Sequence, residues 1–229
     1  MESTHICVGP EPGKSLVDFD WDLLEAAVVE RPNRFVVIAN LGGESVKCHL
    51  HDPGRLKELI FPGNRIRIRR KPSEKTDYSV VCALDGDEWV LIDSRFHPSI
   101  ARKFLPDNAV SEVRVGRKRI DFKCENEFIE VKGCTLVDNG TAKFPDAPSL
   151  RATEHVRLLT SMKAEGTPAS IMFLVMRKNA ECFVPNRDTD PEFAEALLRA
   201  VGSGVNIVFK KMHLDGKSII YDGQIQMCQ

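Results

Sequence analysis

From about Asp18 to Asp93, apolar residues come in short alternating runs broken by turn-forming residues. Leu23 to Val29 and Arg34 to Ala39 flank Arg31-Pro-Asn33, and Gly42-Gly43 turns into Val46 to Leu50. Asn64 to Lys71 alternates isoleucine with arginine, and Tyr78 to Leu84 and Trp89 to Ile92 flank Asp85-Gly-Asp87. A two-residue period predicts half-buried strands. Asp52-Pro-Gly-Arg55 opens a short helical piece, Leu56 to Ile60, which Pro62-Gly63 stops. Five or six short strands with one brief helix predict a small closed barrel of the OB type. Residues 1–15, with Gly9-Pro-Glu-Pro-Gly13, read as a loose arm.

The pattern changes after Phe96. Pro98 to Phe104 is a short helix, and Val110 to Val115, Ile120 to Cys124 and Phe128 to Val131 form a three-stranded meander. Val156, Leu158, Leu159 and Met162 recur at helical spacing within Leu150 to Glu165, which Gly166-Thr-Pro168 ends. Ala169 to Met176 is almost continuously apolar and predicts a strand covered on both faces. Asp188-Thr-Asp-Pro191 caps a helix over Glu192 to Val201, and Val205 to Phe209 is a further strand. The resulting order, α-β-β-β-α-β-α-β, predicts an α/β domain with a mixed sheet. The chain thus divides into an all-β part, 1–95, and an α/β part, 96–229.

A chain of 229 residues with a net charge of −1 is no general polyanion binder, so any nucleic-acid role must rest on a local basic patch. No apolar run is long enough to span a bilayer, and no signal-peptide pattern opens the chain, so no membrane partner is expected. Seven cysteines are scattered without a Cys-x-x-Cys pair, which argues against a zinc ribbon. Cys48, Cys82 and Cys124 alternate with apolar residues and read as small buried hydrophobes, which fits a reducing, cytoplasmic compartment.

The chemistry concentrates between Arg119 and Lys132. Asp121 lies on one apolar run and Glu130-Val-Lys132 on the next, with Glu125-Asn126 as a hairpin turn between them. With a two- or four-residue loop, Cys124 faces Glu127 and Asp121 faces Glu130. A three-residue loop would instead put Asp121 opposite Val131 and separate the carboxylates. Opposed residues have Cβ atoms about 4.5–5.5 Å apart, and two like charges there need an offset such as a hard divalent cation. Lys132 shares the Glu130 face and could orient a water or stabilise charge on a phosphate. The plainer reading of Glu-x-Lys is a solvated strand face with cross-strand charge pairs.

Arg65, Arg67 and Arg69 fall on one face of their strand, with Arg55 and Lys57 just before it. Guanidinium forks suit phosphate, while a charged edge strand that resists aggregation is the alternative. Aromatics in this half are few, and no stacking platform is evident. His49 and His51 share a face but lack a third metal ligand in sequence, so they read as ordinary histidines.

The order of Asp121, a turn, Glu130-x-Lys132, a helix and a buried strand resembles the PD-(D/E)xK nuclease superfamily. Arg119-Ile-Asp-Phe122, Glu130-Val-Lys-Gly133, Phe144-Pro-Asp-Ala147 and His155 resemble, in order, the sugar fermentation stimulation protein A family. So do Arg34-Phe35, Asp52-Pro-Gly-Arg-Leu56, Pro62-Gly63 and Asp190-Pro191. The resemblance implies an OB-fold followed by a restriction-endonuclease-like domain, DNA binding through residues that include Arg34, and a link to sugar (maltose) utilisation in prokaryotes. It implies Asp121, Glu130 and Lys132 as the catalytic core, with Glu112 as the preceding acidic residue. On that basis Asp121, Glu130 and Glu112 are the expected ligands of Mg²⁺ or Mn²⁺, with the Val131 carbonyl as a further donor. The expected partner is DNA of unspecified strand form, and a homodimer stays open. The alternative is a non-catalytic DNA-binding regulator on the same fold. The family pattern Arg-Gly-x-Lys-His becomes Arg151-Ala-Thr-Glu-His155 here, so Glu154 replaces a lysine that could contact phosphate. His155 either faces the site or is exposed near the helix start.

Overall fold

The computed structural model describes residues 9–52 and 54–229. A first strand, β1 (Ser15–Asp18), is followed by six that form one sheet: β2 (Leu24–Asn33), β3 (Val36–Leu41), β4 (Glu44–His49), β5 (Arg65–Arg70), β6 (Tyr78–Asp85) and β7 (Glu88–Leu91). The order is β4-β3-β2-β5-β6-β7, and a parallel pairing of Cys48 and His49 with Tyr78 and Ser79 joins β4 to β6. Strands β2 to β6 therefore close into the five-stranded barrel expected of an OB-fold, with β7 extending β6. Alternation does what the pattern predicts. In β5, Ile66 and Ile68 are buried while the arginines between them point outward.

The expected helix at Leu56–Ile60 does not form. Leu59 and Ile60 donate their N–H groups to the Leu56 carbonyl in a single tight turn, and Leu56 has φ 45°. Pro62-Gly63 leaves too little chain for helix nucleation to be repaid. Of the predicted loose arm, residues 1–8 lie outside the described residues. The rest is tied down: Gly13 N–H bonds the Tyr221 carbonyl, and β1 pairs with the last strand of the chain.

The second half contains α1 (His97–Arg102), β8 (Val110–Val115), β9 (Lys118–Cys124), β10 (Glu127–Cys134), β11 (Val137–Asp138) and β12 (Thr141–Phe144). Then come α2 (Leu150–Ala164), β13 (Ala169–Val175), β14 (Cys182–Pro185), α3 (Pro191–Gly202), β15 (Asn206–Asp215) and β16 (Ser218–Met227). The sheet runs β11-β12-β14-β16-β15-β13-β10-β9-β8, with β1 attached to β16. Every residue of β13 is buried between the parallel neighbours β10 and β15, as its apolar run predicts. Ile171, Phe173 and Val175 face a core with α2 and α3, whereas Met172 and Leu174 face the core shared with the barrel. Strands β11, β12, β14 and β16 are not legible in the sequence pattern. β11, β12 and β14 have two to four residues, and β16 carries Asp222, Gly223 and two glutamines that mask its alternation.

Barrel and sheet are clamped by Arg177, whose side chain is 3% exposed. It donates to Asp85, to Glu88 Oε2 at 3.2 Å and to the Thr135 carbonyl at 3.0 Å. Cys48, Cys82, Cys124 and Cys134 are free and buried. Cys182 and Cys228 form a disulfide, brought together by pairing of β14 with β16. A reducing compartment does not lead one to expect that bond, and Cys7 lies outside the described residues. No helix among the described residues is long and apolar enough to cross a membrane.

Candidate functional site

The hairpin has the two-residue loop register: Cys124 faces Glu127, Lys123 faces Phe128 and Phe122 faces Ile129. The ladder then stops. Instead of lying in a regular pair with Glu130, Asp121 turns its Oδ2 onto the Val131 N–H at 2.7 Å. The two carboxylates remain close enough to repel. Burial, then the Glu130 charge, pushes Asp121 up to about 6.

Glu130 is 2% exposed. Its Oε1 accepts from Lys132 Nζ at 2.5 Å and from Nδ1 of His155, which is itself buried. A carboxylate can only accept here, so the imidazole proton is assigned to Nδ1. Burial drives the Glu130 pKa upward, but the His155 bond and the Lys132 charge outweigh it and hold the group below its ordinary value. The other oxygen, Oε2, is buried without a hydrogen-bond partner. Lys132 thus shares the Glu130 face, as alternation along β10 predicts. Of the two readings of His155, the structure takes the inward one.

Asp121, Glu130 and Lys132 line a cleft of about 530 Å³ that also meets Glu112, His97 and Arg151, with His155 behind Glu130. A neighbouring cavity of about 490 Å³ shares Ser94, His97, Lys132 and Arg151 with it and reaches Asp52 and Asp146. Nothing in the sequence singles out His97 directly, whereas Arg151 opens the Arg151-Ala-Thr-Glu-His155 stretch already matched to the family pattern. The legible signal for His97 is Gly133, where a Cβ would fall into the His97 ring. Burial drives His97 down to about 4, and its Nε2 has no partner. Two motifs far apart in sequence also meet here. Asp146 Oδ2 accepts the Leu56 N–H at 3.0 Å, and a Cβ at Gly54 would lie 2.9 Å from Asp52 Oδ1 and 2.5 Å from Asp146 Oδ2.

Glu112 falls between the paired Ser111–Phe122 and Val113–Ile120, across from Asp121, but its own rung is skipped. Its φ is 56°, a left-handed value uncommon for a residue with a long side chain. The carboxylate is exposed, 3.6 Å from Arg119. Among the described residues, no three His, Cys, Asp or Glu side chains are gathered tightly enough to hold one ion. Two converging carboxylates, one with a buried oxygen lacking a partner, nevertheless suit a hard cation such as Mg²⁺, which uses one or two carboxylates and keeps several waters.

The basic residues divide into two groups. Arg34, Arg55 and Lys57 are exposed and line a shallow pocket with Arg31 and Gly54 beside the cleft. The arginines of β5 are engaged elsewhere. Arg65 and Arg67 both reach Glu25 and pack on the Trp89 ring, Arg67 at 4.1 Å from its centroid. Arg69 lies over Trp21 at 4.6 Å. Glu154, where the family pattern has lysine, pairs with Lys118.

Comparison with known proteins agrees with this architecture. A model of the SfsA N-terminal OB domain matches residues 29–92, and one of the sugar fermentation stimulation protein RE domain matches residues 92–218. A sugar fermentation stimulation protein homolog from Sulfolobus acidocaldarius is 50% identical over 211 residues, covering 92% of each chain. One from Saccharolobus solfataricus is 45% identical over 217 residues, covering 95% of this chain and 90% of its own. The solved structure of Pyrococcus furiosus SfsA in complex with Ca²⁺ matches with a TM-score of 0.86 at 27% identity, covering 94% of this chain and 100% of that one. With both family models in register on one chain, and relatives this similar along almost all of it, the protein belongs to the SfsA, or sugar fermentation stimulation protein, family.

Proposed function

We propose that this chain binds DNA and hydrolyses phosphodiester bonds in the cleft between barrel and sheet, with a divalent cation as cofactor. The observation that carries the reading is the buried Glu130, bonded by Lys132 and His155 beside Asp121, with one oxygen left without a partner. Asp121, Glu130 and the Val131 carbonyl would hold Mg²⁺ or Mn²⁺, and Glu112 a second ion or a bridging water. A relative of the same fold was solved with Ca²⁺, another cation that takes oxygen ligands. Such an ion, when bound, polarises a phosphoryl oxygen and makes a bound water more acidic.

The side chains supply the rest. Lys132 orients the attacking water and stabilises negative charge growing on the phosphate. His155 fixes the Glu130 carboxylate in its rotamer. Arg34, Arg55 and Lys57 grip backbone phosphates beside the cleft, a salt-sensitive and sequence-independent contact. Arg65, Arg67 and Arg69 are secondary, because each is already held by a carboxylate or an aromatic ring.

The second reading is a DNA-binding regulator that keeps the fold without turnover. It is favoured by the saturation of Glu130 Oε1 by two donors and by the dispersal of Glu112 towards Arg119. A cleavage assay on single-stranded, duplex and branched DNA with Mg²⁺ and with Mn²⁺ separates the two. Cleavage that vanishes in chelator supports the enzyme. Wild-type protein that binds DNA yet leaves every form intact with both ions supports the regulator.

A further inference from the structure

The barrel carries a run of rings leading to the cleft. Phe35, 45% exposed, lies nearly parallel to His49, at an interplanar angle of 11° and 6.5 Å between centroids. His49 in turn contacts His51 at 4.1 Å. The main chain at the end of the run adjoins the cleft: Ser94 Oγ donates to the His51 carbonyl at 2.8 Å, and Ser94 lines both cavities that contain Lys132. Phe35 leads into β3, and His49 closes β4, the second and third strands of the barrel. In OB-folds that face is where oligonucleotides bind.

Charge follows the same path. The Arg34 guanidinium stands 5.8 Å from the Phe35 centroid, and Arg95 and Lys71 are close enough to act on both imidazoles. Burial, then Arg95 against the opposing pull of Asp93, lowers His49, and the same neighbours with Lys71 take His51 down to about 4. Both rings are therefore neutral at pH 7 and partly exposed in a basic surround, with His51 Nε2 set 3.3 Å from the Ser79 hydroxyl. Aromatic and histidine rings grip nucleic acid by stacking on unpaired bases, and a duplex hides those base faces inside its own stack.

We infer that Phe35, His49 and His51 form a stacking track for single-stranded nucleic acid, with Arg34 and Lys71 along its phosphates while Arg95 stays held by Asp93, and that this strand is the form delivered to the cleft. This deepens the proposed phosphodiesterase reading by naming its substrate class, and rests on that reading only for the delivery step.

The test is fluorescence-anisotropy titration of a labelled oligo-dT and a labelled duplex of equal length, with wild type, Phe35→Ala, His49→Ala and Phe35→Tyr. The single strand should bind at least tenfold tighter than the duplex. Removing either ring should weaken single-strand binding about 5- to 150-fold, with the log–log salt slope unchanged because every basic partner of the phosphates is kept. Phe35→Tyr, which keeps a ring, should bind like wild type. Melting curves identify any variant that fails to fold, and the exposed Phe35 keeps the test alive if His49→Ala does. Equal or tighter duplex binding, or Phe35→Ala binding oligo-dT like wild type, overturns the track. Cleavage read in the same samples keeps the two ideas apart. Ring-dependent binding without cleavage supports the track and sinks the enzyme, whereas cleavage of duplex by a protein indifferent to Phe35 does the reverse.

Discussion

Asp121 Oδ2 and the Val131 N–H meet at 2.7 Å at the point where the β9–β10 ladder stops, so a carboxylate takes the place of a main-chain rung. This bond is one of the few things that favour the charged form of Asp121, since burial and Glu130 both oppose it.

Asp121→Asn therefore separates the charge from the bond, because its amide oxygen can still accept the Val131 N–H. The folded-state pKa of Asp121, about 6, lies above its ordinary 3.8. Its contribution to stability is thus present below about pH 4 and lost as pH rises through 6. Two units correspond to at most about 3 kcal/mol at pH 7. Without divalent ions, the variant should melt above wild type at pH 7.5, and the gap should close towards pH 4. It should also lose the stabilisation that Mg²⁺ or Mn²⁺ gives wild type. Equal metal-induced shifts in both proteins would remove Asp121 from the ligand set.

His155→Leu removes one of the two donors on Glu130 Oε1. Losing a hydrogen bond to a buried charge costs about 1.5–3 kcal/mol, which urea unfolding should show. The sign with pH is opposite to that of Asp121. The Glu130 pKa is held below its ordinary value, so its contribution is present above about pH 4.5 and lost as pH falls through the folded value. Without the His155 bond, that loss should begin at higher pH. His155→Gln, which keeps a donor, should recover most of the difference; if it does no better than leucine, the imidazole acts by packing alone.

How far the sequence carries depends on whether a signal is local. The register of the hairpin and the shared face of Glu130 and Lys132 follow from counting along two strands, and both are found. The end of the β9–β10 ladder at Phe122–Ile129 is not countable, because it depends on Asp121 turning its carboxylate onto the Val131 N–H and on the rung skipped at Glu112 in the neighbouring β8. His97 enters the cleft from a six-residue helix, and only the glycine that makes room for its ring is visible in the sequence. The arginines of β5 alternate as expected, but Glu25, Trp21 and Trp89, which occupy them, come from neighbouring strands and loops that a one-dimensional reading cannot align. The Cys182–Cys228 bond spans 46 residues and needs the β14–β16 pairing, which no local pattern announces.

That division of the basic residues yields a contrast. Arg34→Glu, Arg55→Glu and Lys57→Glu together should weaken DNA binding and lower the log–log salt slope by roughly one for each phosphate no longer neutralised. The same change at Arg65, Arg67 and Arg69 should alter the slope less and stability more, because Glu25 would lose both of its guanidinium partners. A larger slope change from the β5 set would put the nucleic acid on that strand instead.

Arg177→Met tests the clamp between barrel and sheet. Methionine fills the apolar part of the space but leaves Asp85 and Glu88 without their cation and the Thr135 carbonyl without a donor. Glu88 keeps the Lys178 N–H at 2.5 Å, and Asp85 is partly exposed, so the loss should be near the lower end for a broken buried pair, about 3 kcal/mol. Because one hydrophobic core runs through both parts, the variant should still unfold in a single transition, with the denaturation midpoint shifted and the slope kept. Two separate transitions would mean that this ion cluster, and not the shared core, couples the barrel to the sheet.

Lys132→Met addresses catalysis itself. The side chain is 14% exposed, and its ammonium lies on Glu130 Oε1 at 2.5 Å. Methionine has nearly the same reach and removes only the charged head, so packing changes little. His155 still holds Glu130, and Asp121 keeps the Val131 N–H, so metal binding should persist, as should DNA binding by the barrel. Loss of one electrostatic donor beside a transition state lowers kcat about 10²- to 10³-fold. The expected result is thus a variant with wild-type affinity for Mn²⁺ and for DNA whose cleavage rate falls by that factor. Weakened metal affinity with a proportionate fall in rate would place Lys132 in the support of Glu130 rather than at the phosphate. Cleavage at the wild-type rate would mean that the charge reaching the reacting phosphate comes from elsewhere in the cleft, with Arg151, which lines the same cavity, as the next residue to replace.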